Sequence, residues 1–205
     1  MSNSSSNKPA QELSTRLVGD PKLTVVNKHL WYRVDKVEFP GGHRGNYTYI
    51  YDDYAGVATV PLDKRKGRRS VFLILQERYP SKTIGWEVPA GRPEEGETQL
   101  EAAKRELQEE AGLEAEYWHP LPRQVENVGR GNCSSDIFIA TGITAVSSMA
   151  DAEEVITDGR WFTMSEVDDL MLAGQISAGH TMASLAVANA FVRRNPYHSI
   201  SRLVG

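Results

Sequence analysis

Three glutamates, Glu106, Glu109 and Glu110, stand at i, i+3 and i+4 in the run Arg105-Glu106-Leu107-Gln108-Glu109-Glu110. At about 100° per residue they fall within roughly 100° of one another, along one edge of one helix. Like charges at these spacings destabilise a helix by roughly 0.2–0.5 kcal/mol per pair. They also lie toward the helix C-terminus, where the macrodipole favours cations. Arg105 neighbours Glu109 at i+4 and offsets part of this repulsion, but one guanidinium does not neutralise three carboxylates. A hard divalent cation does, because Mg2+ or Mn2+ takes oxygen ligands and completes its shell with water and substrate phosphates. A solvated acidic face is the plain alternative.

Positioning such an edge takes a buried stripe beside it. Leu100, Ala103, Leu107 and Ala111 fall within roughly 80° of one another and predict a core-facing side. The helix runs from about Glu97 to Ala111 and stops at Gly112, its C′ residue. Upstream, Gly56–Leu62 and Ser70–Gln76 read as strands. The basic run Asp63–Arg69 between them reads as a solvated loop tip that could otherwise meet phosphates. Trp86–Gly91 is short and extended, with Pro89 pointing to an edge or an irregular end. Downstream, strands are expected near 116–124, 136–143 and 159–163. A short helix capped by Ser165 should reach Leu172, and a last helix over about 179–194 should bury Met182, Leu185, Ala188 and Val192. Strands mixed with few, separated helices indicate an α/β fold with a mixed sheet.

The N-terminal part is organised differently. Residues 1–20 are polar, rich in Ser and Asn, and read as a disordered tail. Within 21–52, the β-prone runs Leu23–Phe39 and Asn46–Tyr51 flank the glycine-rich break Gly41–Gly45 and predict a hairpin. Two strands alone cannot bury a core, so this element must pack on the main domain, 53–205, or on a second copy of the chain. Aromatic residues here, Trp31, Tyr32, Tyr47 and Tyr49, could stack on a base, but in β-rich segments they read as packing.

Composition narrows the function. The 205 residues carry 23 basic and 27 acidic side chains, a formal charge of −4, whereas a nucleic-acid coat protein usually shows a basic excess. No apolar run approaches the ~18 residues of a membrane span. A lone cysteine, Cys133, forms no internal disulfide framework and no Cys-rich zinc site. The polar start has no secretory character, and a reducing cytoplasm is expected. The five histidines, His29, His43, His119, His180 and His198, show no metal-binding spacing.

The glutamates belong to a longer pattern. Gly91, five residues, Glu97, seven residues, Arg105-Glu106-Leu107, one residue, Glu109-Glu110, one residue and Gly112-Leu113 match the signature of the Nudix hydrolases at every position. At common residue frequencies, a chance match is on the order of one in ten million. The resemblance implies an α/β/α sandwich, and hydrolysis of a nucleoside diphosphate linked to another group with Mg2+ or Mn2+. It implies Glu106 and Glu110 as the main metal ligands, with Glu109 close by and the backbone carbonyl of Ala90 as a non-carboxylate ligand. Arg105 would hold the carboxylates in register, and Glu97 would brace the loop against the helix.

A second layer covers roughly Leu23 to Val192. Gln76-Glu77-Arg78-Tyr79-Pro80 followed by Trp86-Glu87-Val88-Pro89-Ala90-Gly91 resembles the branch that cleaves ADP-ribose and other nucleoside diphosphate sugars. That resemblance implies a homodimer completed by the N-terminal β element, and substrate contacts at Arg78 and Glu87. It also implies an acidic loop supplying the base, for which Glu153 ranks ahead of Glu154 and Asp151; a solvated acidic turn is the alternative. One departure stands out: members of the branch usually carry a proline about fifteen or sixteen residues past the signature, where this chain has Val128-Gly129-Arg130-Gly131. Arg130 is there available to a phosphate, and the loop suits another sugar nucleotide. The expected reaction is cleavage of ADP-ribose to AMP and ribose 5-phosphate. Dinucleotides such as NADH, CoA derivatives, a non-catalytic nucleotide-sugar sensor and a structural protein with an acidic helix face stand as alternatives.

Overall fold

The computed structural model describes residues 15–27, 30–147 and 155–194. In chain order the strands are β1 (Arg16–Leu17), β2 (Lys22–Asn27), β3 (Leu30–Glu38), β4 (Arg44–Tyr51), β5 (Gly56–Arg65), β6 (Arg68–Arg78), β7 (Thr83–Glu87) and β8 (Ala90–Gly91). Helix α1 (Gln99–Ala111) precedes β9 (Leu113–Val125), β10 (Ser134–Ala145) and β11 (Ile156–Thr163), and α2 (Met164–Leu172) and α3 (Gly179–Arg194) close the chain. Contacts divide it into two compact units, residues 1–52 with 129–132, and 53–128 with 133–205.

In the first unit β3 pairs antiparallel with β1, β2 and β4. The run expected to be one strand, Leu23–Phe39, is therefore two paired strands, and Arg16–Leu17, inside the expected tail, forms a third partner. Gly41 and Gly42 at the β3–β4 break both adopt positive φ, 90° and 83°, a turn conformation open to glycine. Residues 129–132 join this unit by backbone hydrogen bonds: Ile50 N–H donates to Arg130 O at 2.8 Å, and Asn132 N–H to Ile50 O at 3.2 Å.

The second unit is built on a mixed sheet in the order β11-β6-β5-β10-β9, with β7 added on β6 and β8 on β5. Only β5 and β10 run parallel. Alternation along the strands supplies both faces of the sheet. Val71 and Leu73 of β6, with Ala58, Val60 and Leu62 of β5, pack with Val167 of α2 and with Leu185, Ala188 and Val192 of α3. The intervening Phe72 and Ile74, with Val57, pack with Ala102, Ala103 and Leu107 of α1. This is the α/β/α sandwich the signature implied.

Local chemistry sets the boundaries. Helix α1 begins at Gln99 because Thr98 caps it reciprocally with Glu101, two residues later than the apolar pattern suggested. It ends at Gly112, whose φ of 59° is left-handed. Leu100, on its first turn, is 36% exposed, and the buried stripe runs instead through Ala102, Ala103, Glu106, Leu107 and Glu110. The expected loop 63–69 is a tight hairpin in which Asp63, Lys64 and Arg65 pair with Ser70, Arg69 and Arg68. Its two turn residues, Lys66 and Gly67, both have positive φ, as a type I′ turn requires. Helix α2 is capped by Thr163 with Glu166, not by Ser165. On α3 Met182 is exposed, while Thr181 and Ser184 join Leu185, Ala188 and Val192 in the interior.

Candidate active site

Arg105 organises the acidic edge of α1. Its Nε and Nη2 donate to the two oxygens of Glu97 at 2.9 and 3.1 Å, and Nη1 donates to Glu106 Oε1 at 2.9 Å and Glu109 Oε2 at 2.8 Å. Nη2 also donates to Arg92 O at 2.9 Å, which ties the helix to the preceding loop. Glu97 Oε2 in turn accepts from Glu94 N–H at 2.8 Å. The hydrogen bond that Arg105 donates to Glu97 raises the Arg105 pKa against the opposing effect of burial, with Glu109 and Glu106 adding to the rise. The same bond holds the Glu97 carboxyl below its ordinary value. Through these contacts Glu97 links the loop to the helix, and Arg105 bonds both Glu106 and Glu109.

Two of the three glutamates are turned into the protein. Glu106 and Glu110 are 8% and 5% exposed, unusual for carboxylates. Glu110 Oε2 accepts from Ala90 N–H at 2.7 Å. Glu106 lies so close to Gly91 that a Cβ built there would stand 2.0 Å from Glu106 Oε1. The short strand β8 pairs with Val57 and Ala58 of β5, so the sheet itself holds the backbone against which these carboxylates sit.

The donor set fits a hard divalent ion: Glu106 and Glu110 stand against the half-buried backbone of Ala90–Gly91, and Glu109 adds a third carboxylate on the same helix edge. Among the described residues no three carboxylate, histidine or cysteine side chains already surround one point. The Arg105 guanidinium lies between Glu106 and Glu109 and supplies the positive charge in this arrangement.

A second cluster lies where β6 and β7 meet the start of α3. Glu87, 3% exposed, receives Arg78 Nε at 3.2 Å and Arg78 Nη2 at 2.9 Å. His180 Nε2 approaches Glu87 Oε2 at 3.2 Å, outside the alignment of a full hydrogen bond. Burial pushes the Glu87 carboxyl up, but His180 and Arg78 outweigh it and hold its pKa at about 2. These residues line a cleft of about 510 Å³ with Ser81, Thr83 and Ser177. His180 had no sequence signal, being 93 positions from Glu87 and without a spaced partner.

Other expected site residues fall elsewhere. Asp151, Glu153 and Glu154 lie outside the described residues, as do His29 and His198. Arg130 sits in the segment that pairs with β4. Tyr32 and Tyr47, expected to pack, are 39% and 44% exposed.

Comparison with known proteins agrees with this geometry. The NUDIX domain family matches residues 53–184. An ADP-ribose pyrophosphatase of Mycobacterium tuberculosis is 30% identical over 171 residues, 80% of each chain. A CMP-5'-(N-acetyl-N-hydroxy-3-aminopropyl)phosphonate hydrolase of Streptomyces rubellomurinus is 25% identical over 173 residues, 84% of this chain and 79% of that one. A crystal structure of an ADP compounds hydrolase superposes with a TM-score of 0.77 at 17% identity, covering 91% of this chain and 98% of the other.

Proposed function

Because this chain belongs to the Nudix family, we propose that it is a divalent-metal-dependent pyrophosphohydrolase of nucleoside diphosphate sugars, cleaving ADP-ribose to AMP and ribose 5-phosphate. The observation that carries the reading is the set of glutamates ordered by Arg105 against the Ala90–Gly91 backbone. The likeness over four-fifths of the chain to an ADP-ribose pyrophosphatase supports the substrate.

In this reading Glu106, Glu109, Glu110 and the Ala90 carbonyl hold Mg2+ or Mn2+. The ion supplies charge neutralisation on the diphosphate and a more acidic water. Arg105 keeps Glu106 and Glu109 in register, and Gly91 leaves room for the Glu106 carboxylate. Glu153 takes the proton from the attacking water, with Glu154 and then Asp151 next in order. Water's oxygen bonds to one phosphorus, the bridging P–O bond breaks, and the bridging oxygen leaves with the other phosphate. Residues 21–52 form the dimer contact, and the enzyme works in the cytoplasm. No helix among the described residues is long and apolar enough to cross a membrane.

A second reading has a specific observation behind it. The phosphonate hydrolase covers this chain as fully as the ADP-ribose enzyme does, which favours a nucleotide whose far half is not ribose. Both readings are tested by incubating the protein with nucleoside diphosphate sugars, NADH, CoA and a nucleotide–phosphonate anhydride. Reactions with Mg2+, Mn2+ or EDTA are resolved by chromatography. The expected result is AMP from ADP-ribose with either metal and none with EDTA. Glu109→Gln is expected to abolish turnover with an unchanged melting temperature, and Glu153→Gln to lower the rate with little effect on binding. A protein that cleaves no diphosphate compound with any metal is not this enzyme.

A further inference from the structure

We propose that His180 is a positioning residue that, with Arg78, clamps Glu87 and so shapes a cleft for the hydroxylated, non-base half of the substrate. The proposal rests on the reading of the substrate as a nucleoside diphosphate sugar. Its starting point is a zipper along β7: Trp86 N–H donates to Gln175 O at 2.8 Å, and Val88 N–H to Thr181 Oγ1 at 3.2 Å. Between these two ties, Glu87 meets His180 at 3.2 Å. Three consecutive residues at the end of β7 and just past it, Trp86 to Val88, therefore meet the segment that leads into and begins α3. The place of His180 is set by the backbone and Thr181 on either side of it, not by its own contact.

Glu87 is the buried centre of this arrangement. Its side chain is 4% exposed, whereas those of Arg78 and His180 are 38% and 20% exposed. A carboxylate this deeply buried needs cationic or hydrogen-bonding partners on every open side. Arg78 covers one side through two parallel contacts, a geometry that fixes the guanidinium plane, and His180 covers another. The polar surface facing the cleft comes from Arg78, His180, the edge of Glu87 and the hydroxyls of Ser81, Thr83 and Ser177, with Pro80 and Ala178 completing the wall. Ser81 and Thr83 are already paired Oγ to Oγ1 at 2.7 Å, each hydroxyl retaining acceptor capacity.

The lining chemistry selects the ligand. Among the described residues no Phe, Tyr or Trp lines the cleft, so it offers no face on which a base could stack. It does offer a guanidinium and several hydroxyls, the donors and acceptors that read sugar hydroxyl groups. Its volume of about 510 Å³ accommodates a pentose or hexose phosphate.

The test is calorimetric binding of two compounds to the full-length protein in EDTA: ADP-ribose, and the β-methyl ester of ADP, which has the same base and diphosphate but no second sugar. Wild type is expected to bind ADP-ribose more tightly than the ester. His180→Ala should lose about tenfold of that preference, the size of a lost positioning contact, with the ester's affinity unchanged. His180→Gln, which keeps an N–H donor, should retain most of it. Circular dichroism melts of both variants report whether they fold, and His180→Gln carries the comparison if His180→Ala does not. Equal binding of the two compounds by wild type, an unchanged preference in His180→Ala, or an equal loss for both compounds overturns the proposal. Because the readout needs no turnover, a failed hydrolysis assay and a failed placement of His180 are separate results.

Discussion

A methyl group on Gly91 would stand 2.0 Å from Glu106 Oε1. The atoms it would strike are the far end of a side chain, so a substitution there moves the carboxylate and not the backbone. Gly91 does not have positive φ, and alanine is unstrained at the position. Gly91→Ala is therefore expected to keep its stability within about 1 kcal/mol. It should also lower kcat/KM at least ~100-fold, the effect of a misplacement of about an ångström at a reacting centre. Thermal melts beside steady-state kinetics check it; a stable and fully active variant would remove Glu106 from the site.

Arg105 is ion-paired to both Glu106 and Glu109 through the same Nη1. Arg105→Ala leaves three neighbouring carboxylates repelling one another and should lower the metal-free melting temperature by ~5 °C, corresponding to about 2 kcal/mol. Mn2+ should then raise the variant's melting temperature by more than it raises that of wild type, because the ion takes over the missing positive charge. Differential scanning fluorimetry with and without the ion reads this directly. Equal gains in the two proteins would mean that the ion and Arg105 do not share the same carboxylates.

Glu87 makes stability depend on acid. Its folded pKa of about 2 lies below its ordinary 4.5. The stabilisation is therefore complete above pH 4.5 and disappears as the pH falls from there toward 2. Its full extent is at most about 3 kcal/mol. Glu87→Gln should be less stable than wild type at pH 7, and the gap should narrow by pH 3. Urea titrations at the two pH values measure it, and a gap that does not close would show that Glu87 is not ionised in the fold.

Removing residues 1–52 takes away β4 and with it Ile50, the backbone hydrogen-bond partner of Arg130 and Asn132. Asn132 also loses both of its side-chain hydrogen bonds to Asp52, each 2.8 Å. The truncated protein is expected to be monomeric and at least ~10-fold less active, as follows when positioning contacts are lost. Light scattering during gel filtration, followed by an AMP-release assay, checks it. A dimeric or fully active truncation refutes the role given to the N-terminal element.

The acidic helix was legible because its information is local. Glu106, Glu109 and Glu110 share an edge through the 3.6-residue period, Thr98 and Gly112 punctuate the helix, and Gly91 and Glu97 lie within reach of Arg105 along the chain. The same locality explains the errors. Leu100 fits the apolar period yet lies on the exposed first turn, and Ser165 resembles a cap although Thr163 reaches Glu166 first. At the β5–β6 tip, charge suggested a loop, but the strand pairing carries Asp63–Arg65 and Arg68–Ser70 into the sheet.

What the residue order determined by itself is the carboxylate edge, its arginine and the two α-helical faces of the sandwich, since each depends on neighbours a few positions apart. Only the tertiary structure brought His180 to Glu87 and Arg130 to Ile50. Such pairings join distant parts of the chain, and nothing in local periodicity records which sheet edge or strand a far segment will meet. Their contact energies exist only after the sheet has closed the loops between them.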